Sequence, residues 1–141
     1  LFWVIQREDV STYKEWFNYG KDLLYLNKDP SAIYPPIKSA KLLFNGKDRT
    51  LDLTGNFYRR YEAYRYHTAA SESYIYTYSF SLNPENLKQP SGAANFSKIH
   101  KAQLGLTYNM AAGVDMKVKI FAINYNILRI REGMGGLLYQ S

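Results

Sequence analysis

The side chains able to do chemistry are few, and their spacing is wrong for it. The two histidines, His67 and His100, lie in different segments, and neither has a second histidine or a carboxylate at metal-ligand spacing. Both are expected to be surface or hydrogen-bonded histidines. There is no cysteine, which removes thiolate ligands, thiol nucleophiles and disulfides together and fits folding in a reducing compartment. No serine sits in a G-x-S-x-G elbow. Gly133-Met134-Gly135-Gly136 resembles a phosphate loop but lacks the Gly-Lys-Ser/Thr ending and a following helix, so a flexible or tightly turned segment is expected there. Glu8-Asp9 reads as a pair of solvated loop charges. Asn95-Phe96-Ser97 matches a glycosylation sequon and is expected to be unused. The expectation is no enzyme, no cofactor and no metal.

One stretch has the residues for polyanion contact. In "YRRYEAYRY", residues 58 to 66, tyrosines interleave with Arg59, Arg60 and Arg65, as in surfaces that stack bases and neutralise phosphates. Glu62 dilutes that charge, and the same tyrosines suit a protein interface or a half-buried sheet. The chain carries 18 Lys+Arg against 12 Asp+Glu, a net charge of +6, which permits nucleic acid, anionic lipid or acidic protein as partner without choosing among them.

The elements that would position these groups are short strands. Ser73 to Leu82, "SYIYTYSFSL", alternates Tyr74, Tyr76, Tyr78, Phe80 and Leu82 against small polar residues, the pattern of a half-buried strand closed by Asn83-Pro84. Lys38 to Phe44 is a strand closed by the hairpin signal Asn45-Gly46, with residues 49 to 53 as its partner. Ser97 to Tyr108 is a further strand with Ile99, Leu104 and Leu106 facing the core. Met116 to Ile130 begins as an alternating strand and turns apolar on both faces from Phe121, as if entering a packed interior. "STYKEWFNYG", 11 to 20, carries a capping-box spacing from Thr12 to Glu15, yet reads better as an aromatic-rich loop. Residues 57 to 67 have no clean period and are taken as irregular or an edge strand. About six or seven short strands with little helix predict an all-β sandwich or barrel, a single domain over 1–141. No apolar run approaches the ~20 residues of a membrane span.

Two longer motifs add what spacing cannot. "QPSGAANFSKIHKAQLGL", preceded by "YIYTYSFSLNPE" and followed by "FAINYNILRIREGMGGLLY", resembles the major capsid protein family of large icosahedral double-stranded DNA viruses of eukaryotes. "LFWVIQR" and "AKLLFNGKDR" extend the resemblance over nearly the whole chain. The residues that carry it are Pro90, Ser91, Gly92, Asn95, Phe96 and Ser97, then Asn124, Tyr125, Asn126, Arg129, Gly133, Gly135 and Gly136. Lys98 and His100 depart from the Arg and Asp more usual there.

The resemblance implies a jelly-roll β-sandwich, most of the second of two in one subunit. The first jelly roll and the opening strand of the second would lie upstream of Leu1. It further implies a homotrimer forming a pseudo-hexagonal capsomer of a virion shell assembled in the host cytoplasm. Partners would be copies of itself, neighbouring capsomers and minor capsid proteins. An internal viral membrane is a further candidate, and no direct nucleic-acid contact is expected. Within the first motif, Pro90 would fix a turn and Gly92 would sit where a Cβ clashes. Ala93 and Ala94 would allow close approach of a neighbour, while Asn95 and Ser97 would cap backbone groups. Residues 7 to 36 and 54 to 72 are the candidate contact loops. The alternative is a basic, Tyr/Arg-rich β-module binding nucleic acid; a glycan-binding sandwich ranks third.

Overall fold

The computed structural model describes residues 1–23, 35–109 and 113–139. The first strand, β1 (Phe2–Arg7), is central to a three-stranded antiparallel sheet, flanked by β5 (Tyr76–Thr77) and β7 (Met116–Phe121). A second sheet is built on β2 (Ile37–Phe44), which pairs with β3 (Lys47–Asp48), β4 (Leu53–Thr54) and β6 (Ala102–Tyr108), all antiparallel. A separate hairpin joins β8 (Leu128–Arg131) to β9 (Met134–Leu137).

One core lies where the two larger sheets and a helix meet. It comprises Trp3 and Ile5 from β1, Ile37 and Ala40 from β2, Tyr58, and Tyr76 from β5. Trp3 is wholly buried, edge-on to Tyr58 at 5.3 Å and stacked with Tyr76 at 6.1 Å. Its indole Nε1 finds no hydrogen-bond partner among the described residues. Burial pushes the Tyr76 hydroxyl up to about 12.

In β2, alternation alone would put Ile37 opposite Ala40 and Leu42. A bulge between Ile37 and Ser39 rephases the strand, so all three are buried. Leu104 and Leu106 pair with Leu42 and Ala40 and pack on the core, as expected from sequence, whereas Ile99 is only half-buried outside the strand.

The other face of β1 is covered by the segment after it. A 3-10 turn at Glu8–Ser11 leads into irregular chain held by Asn18, whose side chain donates to Glu15 Oε2 and the Asp22 carbonyl and accepts from the Gly20 N–H. Gln6 donates to the Trp16 carbonyl and accepts from Lys119 Nζ. Residues 11 to 20 are thus the expected loop. Asp9 is not merely solvated: Arg7 grips it at 2.6 Å and holds its carboxyl below the ordinary value.

Three sequence expectations are corrected. Residues 57 to 67 are helical: a π-helical turn, Phe57–Tyr61, runs into α1, Glu62–Tyr66. Gly55, Tyr58, Glu62 and Ala63 face inward at three- and four-residue steps. The inward carboxylate of Glu62, which no hydrophobic pattern would count, hid this period. The tyrosine strand at 73 to 82 forms a ladder with β1 only at Tyr76–Thr77, with one further bond from the Tyr78 N–H to the Leu1 carbonyl. Its side-chain alternation nevertheless holds, with Tyr74 and Tyr78 packed against the core. Met116 to Ile130 does not enter an interior. It breaks after Phe121, and residues 117–139 are exposed.

Two turns match their sequence signals. Asn45 and Gly46 have φ of 52° and 79°, Glu132 and Gly133 53° and 78°. Positive φ at both central residues is the hairpin geometry that Asn-Gly favours and that Glu-Gly adopts here at some cost. Residues 133 to 136 are therefore a tight turn and strand. The partner of β2 after its turn begins at Lys47, earlier than the 49 expected, and resumes at Leu53–Thr54. Residues 96 to 98 form a 3-10 turn, so the strand expected from Ser97 begins at Ala102.

Burial raises the Glu62 carboxyl above its ordinary value, opposed by the Ser79 N–H. The folded state then holds this proton more tightly than the unfolded chain. Stability from this group accordingly falls as pH rises from the ordinary carboxylate range through the folded value. Glu62→Gln keeps an acceptor for Ser79 and should raise the melting temperature at neutral pH and flatten its pH dependence above the ordinary carboxylate range. An unchanged slope in thermal melts would refute this.

Candidate functional site

The first motif closes on itself around one hydroxyl. Ser91 Oγ lies 2.8 Å from Ser81 Oγ, accepts from the Asn83 N–H at 2.8 Å and donates to the Asn83 carbonyl at 3.2 Å. It thus latches the loop from Asn83 to Pro90. Gly92 has φ of 142°, and a Cβ on it would lie 3.0 Å from the Phe80 carbonyl oxygen. Asn95 Oδ1 accepts from the Ser97 N–H at 3.0 Å and starts the 3-10 turn. That turn delivers Phe96 to Phe44 and Phe80, with ring centroids 5.7 Å from each, while Phe44 and Phe80 stack at 5.9 Å. Ala93 is exposed and Ala94 half-buried.

Gly92→Val meets both a disfavoured backbone region and a fixed carbonyl. It should lower stability by about 1–3 kcal/mol. Ser91→Ala should cost about 1 kcal/mol and raise protease cleavage at Lys88 in the loop it releases. Denaturant melts and limited proteolysis check both; wild-type behaviour of Gly92→Val would refute the steric role.

The second motif forms a different device. Asn126 Nδ2 donates to the Tyr139 carbonyl, and its Oδ1 accepts from the Ile127 and Tyr139 N–H groups. This side chain ties the two ends of the β8–β9 hairpin. Leu128 pairs with Leu137 and Ile130 with Gly135, while Arg129 faces Gly136. Gly135 and Gly136 have nothing within 4 Å of a built Cβ. Asn124 and Tyr125 lie in the exposed stretch before the hairpin.

Between these two motifs in the sequence lies β7, whose core-side residues Val118 and Ile120 are exposed. Across the β1–β7 pairing, Trp3 opposes Ile120 and Ile5 opposes Val118. Paired residues share a face. Trp3 is fully buried, yet its partner Ile120 is 55% exposed. The core face of the sheet therefore continues onto β7 and stands uncovered there. Phe121 on the opposite face of β7, and Ile123, Ile127, Leu128 and Ile130 in the chain that follows, are also exposed. A core face that continues onto an exposed strand in this way, here at Val118 and Ile120, is of the kind that marks an interaction surface. Its signal in the sequence was the doubly apolar run after Phe121, which predicted burial and left open what would supply it.

Other sequence candidates are accounted for locally. His67 Nε2 is 3.2 Å from Thr77 Oγ1 and its Nδ1 3.3 Å from Glu85, a hydrogen-bonded histidine as expected; His100 is exposed. Among the described residues, no three His, Cys, Asp or Glu side chains group as metal ligands. Of the contact loops expected at 7 to 36 and 54 to 72, residues 24–34 lie outside the described residues. No helix is long and apolar enough to cross a membrane among the described residues.

Comparison with known proteins gives the family of the chain. Residues 1–136 match the sequence profile of the large eukaryotic DNA virus major capsid protein. The chain belongs to this capsid family. It is 46% identical over 109 residues to the major capsid protein of Phaeocystis pouchetii virus, covering 75% of this chain and 21% of that protein. It is 35% identical over 124 residues to that of Paramecium bursaria Chlorella virus 1, covering 73% and 28%. Among solved structures, it superposes on a quasi-atomic model of the PBCV-1 virus capsid with a TM-score of 0.67 and 32% identity, covering 77% of this chain and 31% of that one. The antiparallel sheets are those of the capsid jelly roll. The chain spans roughly a fifth to a third of the length of these capsid relatives.

Proposed function

We propose that these residues are the C-terminal jelly roll of a longer capsid subunit that trimerises into pseudo-hexameric capsomers of a virion shell. The observation that carries this reading is the uncovered core face of β7, in a chain matched to the capsid family over residues 1–136. A sandwich leaves such a face bare only where further polypeptide packs on it. On this reading the remainder of the subunit, including the opening strand of this jelly roll, covers Val118 and Ile120. Neighbouring subunits then meet the loops at the ends of the sheets. The motif residues act by shape: Ser91, Gly92, Asn95 and Phe96 hold one loop, and Asn126 closes the hairpin.

The role is structural, with no reaction to catalyse. A shell subunit needs a rigid sandwich and repeated weak contacts that become cooperative by number. Interlocked aromatic rings supply rigidity, and loops supply contacts. Partners would be further copies, neighbouring capsomers and minor capsid proteins, with an internal viral membrane as a further candidate and assembly in the host cytoplasm.

The test is the solution mass of the full-length subunit by light scattering. Three copies per particle are expected, and Ile120→Lys should abolish that species. A monomer, or a trimer indifferent to Ile120→Lys, would overturn the reading. A monomer that releases DNA steeply as salt rises would support the nucleic-acid alternative.

A further inference from the structure

We propose that the outward side of the helical segment 57 to 66, carrying Arg60, Tyr61, Tyr64 and Arg65, docks an acidic segment of a partner protein. Residue types in this stretch left its use open, because Glu62 stood among the arginines. The fold sorts them. Glu62 is only 5% exposed and turned inward, accepting from the Ser79 N–H. Arg59 is also taken: its guanidinium lies 4.3 Å over the Tyr74 ring and donates to the Glu72 and Ser73 carbonyls. What faces outward is uniformly cationic and aromatic.

Arg60 and Arg65 are exposed and have no ion pair among the described residues. Tyr64 is 85% exposed. Tyr61, half-exposed, is held in place by stacking on Phe57 at 5.0 Å, so less side-chain order is lost on binding. Tyrosine and arginine are the residues most enriched in protein-interface anchors. Arg60 and Tyr61 lie in a π-helical turn, a feature frequent at functional positions, and Tyr64 and Arg65 in the α-helical turn that follows.

Charge selects the occupant. Two guanidiniums without an ion pair among the described residues favour carboxylates. The face is a convex helix bearing these two cations. A single-stranded nucleic-acid site instead needs a groove tracking several phosphates with stacked bases. This inference stands apart from the trimer proposal and does not need it.

The test uses the full chain and a labelled Glu-rich peptide containing phenylalanine, followed by fluorescence anisotropy at physiological salt. Arg60→Glu with Arg65→Glu should weaken binding about tenfold or more. The charge-matched control Lys88→Glu with Lys101→Glu should weaken it less than about threefold. Tyr64→Ala, which leaves the charge unchanged on an outward position, should cost about fivefold. Three results would overturn the proposal. They are equal loss in the charge-matched control, wild-type affinity of Tyr64→Ala, or tighter binding of oligothymidylate than of the peptide with the same dependence on Arg60 and Arg65. The last would make the face a nucleic-acid surface.

Discussion

Trp3→Ala should lower the stability of the chain by about 3–5 kcal/mol, the range for truncating a buried large aromatic. Trp3 is the largest fully buried side chain and joins β1 to Tyr58 and Tyr76, so its loss opens the junction between both sheets and the helix. For a chain of this size that corresponds to a fall in melting temperature of about 10–20 °C. Trp3→Phe offers a control. It keeps an aromatic ring in the core and removes the indole N–H that has no hydrogen-bond partner among the described residues, so part of the packing loss is offset. Its cost should be less than half that of alanine. Equal costs for the two variants in denaturant melts would show that the site collapses around any replacement and that the ring contacts are not what holds it.

Gly55→Ala should be nearly as damaging, although it adds a single methyl group. A Cβ at Gly55 would run into the Ile37 carbonyl oxygen and come within 3.3 Å of the Tyr76 ring. Neither obstacle is the far end of a flexible chain. Ile37 is buried beside the β2 bulge, and Tyr76 is locked between Trp3 and the sheet. The helical segment must therefore move off β2, at a cost of about 1–3 kcal/mol or more. The expected signature is a lowered melting temperature with faster amide exchange in β2 and in residues 57 to 66 together. Gly46→Ala separates this clash from ordinary turn strain. Gly46 also has positive φ but nothing within 4 Å of a Cβ, so its cost should stay near 1 kcal/mol. If Gly46→Ala proved the costlier of the two, backbone conformation and not packing would govern these positions.

Both variants act on the core that aligns β1 with β7. Under the proposed trimeric assembly, each should reduce recovery of assembled full-length subunit in proportion to lost stability, whereas the latch variants of Ser91 and Gly92 should act locally on the loop beside them.

What the sequence determined by itself was whatever local chemistry settles. Alternation placed Tyr74, Tyr76 and Tyr78 on one side and Leu104 and Leu106 on the core face. Asn45-Gly46 set a hairpin because positive φ at two successive positions suits few residue pairs. The capsid family was legible because two long motifs stand in order. Tertiary structure decided the rest. Whether the tyrosine run forms a ladder over ten residues or two depends on the strand beside it. Ile37 reaches the core only through a bulge that no periodicity shows. Residues 57 to 66 became helical because Tyr58, Glu62 and Ala63 found an inward side, and a buried carboxylate reads as polar in any one-dimensional pattern. The apolar run after Phe121 predicted burial, since hydrophobicity records what must be covered; it cannot record which polypeptide covers it. That is why Val118 and Ile120 continue the core face onto β7 and yet stay exposed, a feature visible only once Trp3 and Ile120 were seen side by side.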